Sequence, residues 1–241
     1  MTDSLTADAA IAVLQEKATP EKRAGYERAF PAARRGEDQF IGVRMGEVFA
    51  LAKTLTGMPL PEIERLLESP IHEARVCAVS IMDFEARAKK TPPERRRELF
   101  ELYLRRHDRI DSWDLVDRSA IYVVGSYLAD KPRDVLYDLA RSERMPERRT
   151  AIVTTIYFSM KLRQPDDTFA IAELLVDDPE DLIHKAVGWA VRVAGGDGLR
   201  RFLDAHAATM PRVMLRAAIE KLPYEERQDY LGKRTKNSRI T

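Results

Sequence analysis

The stretch RIDSWDLVDRSAIYVVG, residues 109–125, sets Trp113, Asp114 and Asp117 ahead of a run, Ser119 to Ala129, that carries no charged side chain. Trp113 and Asp117 stand at i and i+4, so on a helix they share a face. Asp114 is turned about 100° away and follows Asp111 by three, which reads as a capping pair with a structural role. Asp117 has no such local role. The run behind it needs burial, and an unpartnered carboxylate inside that burial is costly, so the acid must stand at its edge, facing a groove. A second indole, Trp189, follows Lys185 at the same spacing. Either tryptophan alone reads as core. Two indoles and a carboxylate in cationic surroundings suit a positively charged, electron-poor group held on a phosphate backbone.

The cationic surroundings come from a recurring placement. Arg75 follows Pro70 by five, Arg148 and Arg149 follow Pro146 by two and three, Lys185 follows Pro179 by six, and Arg212 and Arg216 follow Pro211 by one and five. Cations near a helix start oppose the helix dipole, a cost of some tenths of a kcal/mol each. Aligned by stacked repeats, they would form a basic stripe on one, concave, face, tolerable where an anion sits. Such a stripe gives sequence-independent, salt-dependent attraction to a nucleic-acid backbone. The alternative is that the arginines pair with acids of the neighbouring repeat. At residues 231–241 the basic tail adds four more cations and no acid.

The elements that must position these residues are helical. Leu60, Ile63, Leu66 and Leu67 follow helical spacing, and no segment alternates like a half-buried strand. Prolines recur at 132 and 146, at 165 and 179, and at 211, a period of about 33 residues. Proline suits a helix's first turn, so each pair marks the two helix starts of one hairpin. A helix pair repeating at this period predicts an all-α repeat α-solenoid of HEAT, TPR or armadillo type, a superhelix of antiparallel helix pairs in which no repeat buries its apolar face alone. SPIHEARVCAVSIM, MPERRTAIVTTIYFSM, DPEDLIHKAVGWAV and MPRVMLRAAIEKL read as inner helices, and KKTPPERRRELFELYLRRHDRI as a solvated outer one. With no Gly/Ser linker, residues 1–241 read as one domain.

Bulk composition narrows the function classes. Lys plus Arg is 40 against 39 Asp plus Glu, so only the distribution of charge, not its sum, speaks of partners. A single cysteine, Cys77, excludes an internal disulfide, and with four histidines it gives no metal-ligand spacing. Neither a signal sequence at the start, MTDSLTADAAI, nor an apolar run of about 18 residues is present, so the chain reads as soluble and cytoplasmic, without a membrane partner.

FIGVR at 40–44, then SPIHEAR, SWDLVD, ERRTAI and HKAVGW in that order, resemble the AlkD-type DNA alkylation repair glycosylases. The resemblance runs from about Phe30 to Leu222, and residues 1–30, with their N-terminal helices, match weakly. It implies a HEAT-like superhelix gripping duplex DNA and excising N3- and N7-alkylated purines such as 7-methylguanine and 3-methyladenine. By motif, Asp117 matches the catalytic aspartate, Trp113 and Trp189 the two aromatic residues, and one of Arg148 or Arg149 a DNA-contacting arginine. The implied enzyme is a cofactor-free, metal-free, nucleoid-associated monomer. Whether the base is flipped out or the lesion is worked on from the backbone side is open in the sequence. A non-catalytic DNA-structure or damage-binding member of the fold is the alternative, and a protein-interaction scaffold the third.

Overall fold

Every proline that the sequence places at a helix start lies within two residues of one, and the apolar stripes between them become buried faces. The computed structural model describes residues 5–30 and 38–233; those residues form fourteen α-helices and no strand, with one isolated parallel bridge between Gln39 and Ile71. The basic tail beyond Lys233 lies outside the described residues. No helix among them is long and apolar enough to cross a membrane.

The chain divides between Tyr127 and Leu128 into two compact units. The first holds α1 (Ala7–Glu16), α2 (Pro20–Ala29), α3 (Met45–Thr54), α4 (Leu60–Glu68), α5 (His72–Arg87), α6 (Pro93–Arg105) and α7 (Trp113–Val123). Here α3, α5 and α7 pack in succession, with α4 and α6 laid against α5. The second holds α8 (Asp134–Ala140), α9 (Met145–Tyr157), α10 (Asp166–Leu175), α11 (Asp181–Ala194), α12 (Gly196–His206), α13 (Arg212–Ile219) and α14 (Tyr224–Gly232). There α9, α11 and α13 pack in succession, flanked by α8, α10 and α12. This is the all-α repeat architecture that the proline period implies, and it is consistent with the HEAT-like fold that the resemblance implies: successive inner helices cover one another's apolar faces. At Gly188 the approach of α11 to α13 is so close that a Cβ would stand 2.5 Å from the Met214 carbonyl oxygen.

The charged helix α6 does more than face solvent. Arg96 donates to the carbonyls of Ala86, Ala88 and Thr91, capping the end of α5, while Arg109, in the turn after α6, donates to those of Leu67, Glu68 and Ser69 at the end of α4. Each satisfies carbonyls that a helix terminus leaves without partners.

In α5, all sixteen residues except Phe84 and Arg87 are buried, so its polar side chains need partners from other segments. Glu73 accepts from the backbone N–H groups of Ile41, Gly42 and Val43 at 3.2, 2.7 and 3.2 Å, which fixes the FIGVR segment. Gly42 has φ +91, and a Cβ there would meet the Thr19 carbonyl at 2.1 Å, so only glycine fits. His72 lies between two carboxylates, Nδ1 at 2.8 Å from Asp38 and Nε2 at 2.7 Å from Asp114. Both ring nitrogens must donate, which makes the ring an imidazolium. Burial works against that charge, but the two aspartates outweigh it and raise the His72 pKa to about 9. Arg75, wholly buried, donates to Asp38, to Asp111 at 2.8 Å and to the Arg109 carbonyl at 3.0 Å. These two cations tie the segment before α3 and the loop before α7 to the first turn of α5.

The pKa of His72 is raised on folding, from 6.5 to about 9, so its stabilisation is full below pH 6.5 and is lost as pH rises through 9. Chemical denaturation should show the wild type losing stability between pH 7 and 9.5, with His72→Asn much flatter over that window. Parallel curves for the two proteins would show that the imidazolium does not form.

Candidate carboxylate site and nucleic-acid interface

Helix α7 is preceded by its N-cap Ser112, whose backbone is extended and whose hydroxyl donates to Asp114 at 2.6 Å and accepts no hydrogen bond from the helix's own N–H groups. Leu115, Val116, Ser119, Ala120 and Val123 form its buried face. Two adjacent rows remain. Asp114, Arg118 and Tyr122 turn toward α5: Asp114 reaches His72, Arg118 reaches Ser80 and Asp83, and the Tyr122 ring lies 3.8 Å beneath the Arg87 guanidinium. Trp113, Asp117 and Ile121 form the outer row; all three keep exposed surface.

The structural role expected for Asp114 is realised with a different partner. His72, not a capping pair with Asp111, holds it, while Asp111 takes Arg75. Burial pushes the Asp114 carboxyl up, yet His72 and Ser112 together hold it below the usual carboxylate range. Trp113 is 38 % exposed, which is not the environment of a core tryptophan. Phe30 stacks on it, with centroids 5.6 Å apart and planes 11° from parallel, and Phe30 in turn contacts Phe40 and His72. The charged imidazolium and the aromatic cluster therefore support the same indole from behind. Neither Phe30 nor His72 carries a local sequence signal for this role.

The cations sort into two groups. Arg75 has no exposed surface, so the expectation that it contacts DNA is withdrawn: a guanidinium with no solvent-facing atom and two carboxylate partners has no room for a phosphate. Arg148 forks onto Asp178 at 2.6 and 3.2 Å and donates its remaining nitrogen to the Ser142 and Glu143 carbonyls. Arg149, 4 % exposed, donates to the Leu182 carbonyl. The two arginines of α9 thus bind the segment entering α11 and the first turn of α11. This is the neighbouring-repeat pairing that the sequence left open, and both leave the DNA-contacting set. Arg212 is partly exposed and donates to the Leu231 carbonyl at 2.9 Å, which caps α14.

Lys185 and Arg216 are different. Both are exposed, and neither has a hydrogen-bond or ion-pair partner among the described residues. Trp189, one turn after Lys185, is partly exposed. Gly188 abuts Met214 and Ala217, and Arg192 donates to the Ala217 carbonyl and to Glu220, so α11 and α13 run in the same direction. Trp189 and Arg216 accordingly lie at about the same level of two neighbouring helices.

No group of three or more His, Cys, Asp or Glu placed to hold a metal ion occurs among the described residues. Cys77 is buried and its thiol is pushed up to about 12, which leaves it a small apolar side chain and not a nucleophile.

Removing Arg148 strands a carboxylate, since the Asp178 side chain is only 4 % exposed. Arg148→Ala should cost about 3 kcal/mol of unfolding free energy, the scale of breaking a buried pair. An unchanged denaturant midpoint would return Arg148 to the set of candidate DNA contacts.

No curated protein matches the sequence. Among solved structures, a predicted DNA alkylation repair enzyme from Enterococcus faecalis superposes with a TM-score of 0.63 at 17 % identity, covering 86 % of this chain and 98 % of that one, which supports the fold. The family model described as DNA alkylation repair enzyme matches residues 10–222. That span takes in both indoles, Asp117 and the helices that carry them, and the chain belongs to the DNA alkylation repair enzyme family.

Proposed function

We propose that the protein is a DNA glycosylase that excises cationic N3- and N7-alkylated purines, 7-methylguanine and 3-methyladenine among them, from duplex DNA. The observation that carries the reading is the outer row of α7. An exposed indole and a carboxylate stand one turn apart on a helix whose opposite face is wholly buried, in a member of a DNA alkylation repair family.

Alkylation at N7 or N3 puts a positive charge on the purine, so the base leaves as a neutral molecule when the C1′–N bond breaks and takes the bonding pair. No general acid is needed. The positive charge passes to the sugar, which becomes oxocarbenium-like. A fixed carboxylate facing it stabilises charge where it develops, and the same group orients the attacking water. In this reading Asp117 has that role; the water's oxygen bonds to C1′, and its surplus proton passes by way of the carboxylate to solvent. In the first unit the Trp113 indole packs against the deoxyribose and attracts the cationic lesion, and in the second the partly exposed Trp189 offers the DNA a further indole. Lys185 and Arg216 contact backbone phosphates, and the exposed part of Arg212 adds to their field. The chemistry calls for no cofactor, and one chain carries every group it uses.

Two experiments test this. Release of free 7-methylguanine from a methylated duplex is the first. Asp117→Asn should slow the single-turnover step by on the order of a hundredfold or more, the scale of one preorganised electrostatic partner, with duplex binding kept or tightened. Asp114→Asn is unsuitable as its control because it would unpair His72; Asp130→Asn, on the exposed surface, serves instead. Equal rates for Asp117→Asn and wild type would end the carboxylate mechanism.

The second concerns the phosphate backbone. Replacing Lys185 and Arg216 together by Ala should weaken binding to undamaged duplex, with a log–log salt slope shallower by roughly one for each phosphate no longer neutralised. An unchanged slope would remove both from the interface.

A further inference from the structure

The inner row of α7 touches α5 at three levels: Asp114 on His72, Arg118 on Ser80 and Asp83, and Tyr122 against Arg87. The middle level is the most elaborate. Arg118 Nε donates to the Ser80 hydroxyl at 2.9 Å and Nη1 to Asp83 at 2.7 Å. Its guanidinium lies 4.7 Å from the Phe49 ring centroid and 4.8 Å from that of Phe84. One side chain of α7 is thereby held by α3, through Phe49, and by α5, through Ser80, Asp83 and Phe84. Asp83 is itself buried and takes a second cation, Arg87, at 2.7 Å. Burial lowers the affinity of Arg118 for its proton and raises that of Asp83, so each charge depends on the other being in place.

Arg118 is the residue next to Asp117. Apolar helix packing tolerates a spread of 15–20° in crossing geometry, because a buried leucine has no strong directional demand. A guanidinium pinned by two hydrogen bonds and two ring faces has such a demand. Rotating α7 about its axis would draw Arg118 Nε off Ser80 and Nη1 off Asp83 and would turn the outer row by the same angle. We infer that Arg118 is a positioning residue, locking the rotation of α7 through Ser80, Asp83, Phe49 and Phe84 so that Trp113 and Asp117 face outward as a fixed pair. The inference rests on the glycosylase reading for its kinetic consequence, and on geometry alone for its structural one.

The test pairs Arg118→Gln, and Arg118→Lys, which keeps the charge but not the planar fork, with Asp117→Asn. On a duplex containing one 7-methylguanine, each Arg118 variant should lower the single-turnover excision rate about tenfold, with duplex affinity within twofold of wild type. In the Asp117→Asn background the Arg118→Gln substitution should change the rate less than twofold, since a group that acts only by placing the carboxylate has nothing left to place. Rates that multiply in the double variant would overturn the assignment, as would full activity in Arg118→Lys.

A readout without catalysis separates this inference from the reaction. In a Trp189→Phe background Trp113 is the single indole, and acrylamide quenching of its fluorescence reports its exposure. Arg118→Gln should change the quenching constant by half or more at a temperature where far-UV circular dichroism shows an intact helix content. Unchanged quenching overturns the inference even if excision falls. If the wild type releases no base, the glycosylase reading fails and the quenching arm alone decides for Arg118. Should Arg118→Gln not fold, Ser80→Ala removes a single hydrogen bond and should give a smaller shift in the same direction; none at all would count against the lock.

Discussion

His72 and Arg75 lie within one turn of each other at the start of α5, both buried, and the carboxylates that neutralise them come from elsewhere: Asp38 upstream, Asp111 and Asp114 downstream. Buried charges of this kind add little net stability compared with an apolar core, because desolvation offsets most of the attraction. What they impose is geometry. A carboxylate misplaced by an ångström leaves a cation uncompensated, so the segment entering α3 and the loop entering α7 have one acceptable position each. The aromatic cluster of Phe30, Phe40 and Trp113 assembles around that imidazolium, and the outer row of α7 inherits its placement.

The same chemistry recurs at the repeat junctions of each unit. Arg75 binds the loop ahead of α7, Arg148 binds the segment ahead of α11, and Arg149 binds the first turn of α11. In each case an arginine in the first turn of an inner helix reaches a carboxylate or carbonyl about one repeat further along the chain. This resolves the conflict with the helix dipole. The anion that makes a cation tolerable there belongs to the protein, and it also orders the entry of the next inner helix. A guanidinium recognises carboxylate and phosphate by the same fork, so residue type and spacing do not separate the two readings. Exposure does, and of the six cations singled out by spacing it leaves Lys185 and Arg216 exposed and Arg212 partly so.

Much of the fold was legible because its determinants are local. Prolines 132, 146, 165, 179 and 211 each stand at or just before a helix start, and apolar spacing along α4 gives the buried Ile63, Leu66 and Leu67. The i, i+4 relation of Trp113 to Asp117, and the turning away of Asp114, follow from helix geometry and hold. The partners that make the site rigid were not legible. The aspartates of His72 lie 34 and 42 residues away along the chain, and Arg118 closes on residues 35 and 38 away. No periodicity announces that a histidine in HEARVCAVS is a cation, because that depends on two carboxylates brought to it only by the finished packing.

The position of Asp117 at the border of an apolar run answers to opposing demands. A carboxylate sunk among Leu115, Val116 and Ala120 would be driven to its neutral form or would need a buried cation, and in both cases it would have no charge to direct at a substrate. A carboxylate standing free in water keeps its charge but acts through a dielectric that reduces an interaction across roughly 4 Å to about 1 kcal/mol. At the edge, where Asp117 is partly exposed, a ligand docking on the helix would strengthen the carboxylate's field by displacing water. In the proposed reaction the leaving group is already charged, so the protein would need to supply no proton, only a fixed anion beside a sugar that turns cationic. Fixity matters more than basicity for that task. On the proposed reading, the interactions from His72 to Arg118 that sit behind the outer row of α7 serve that fixity.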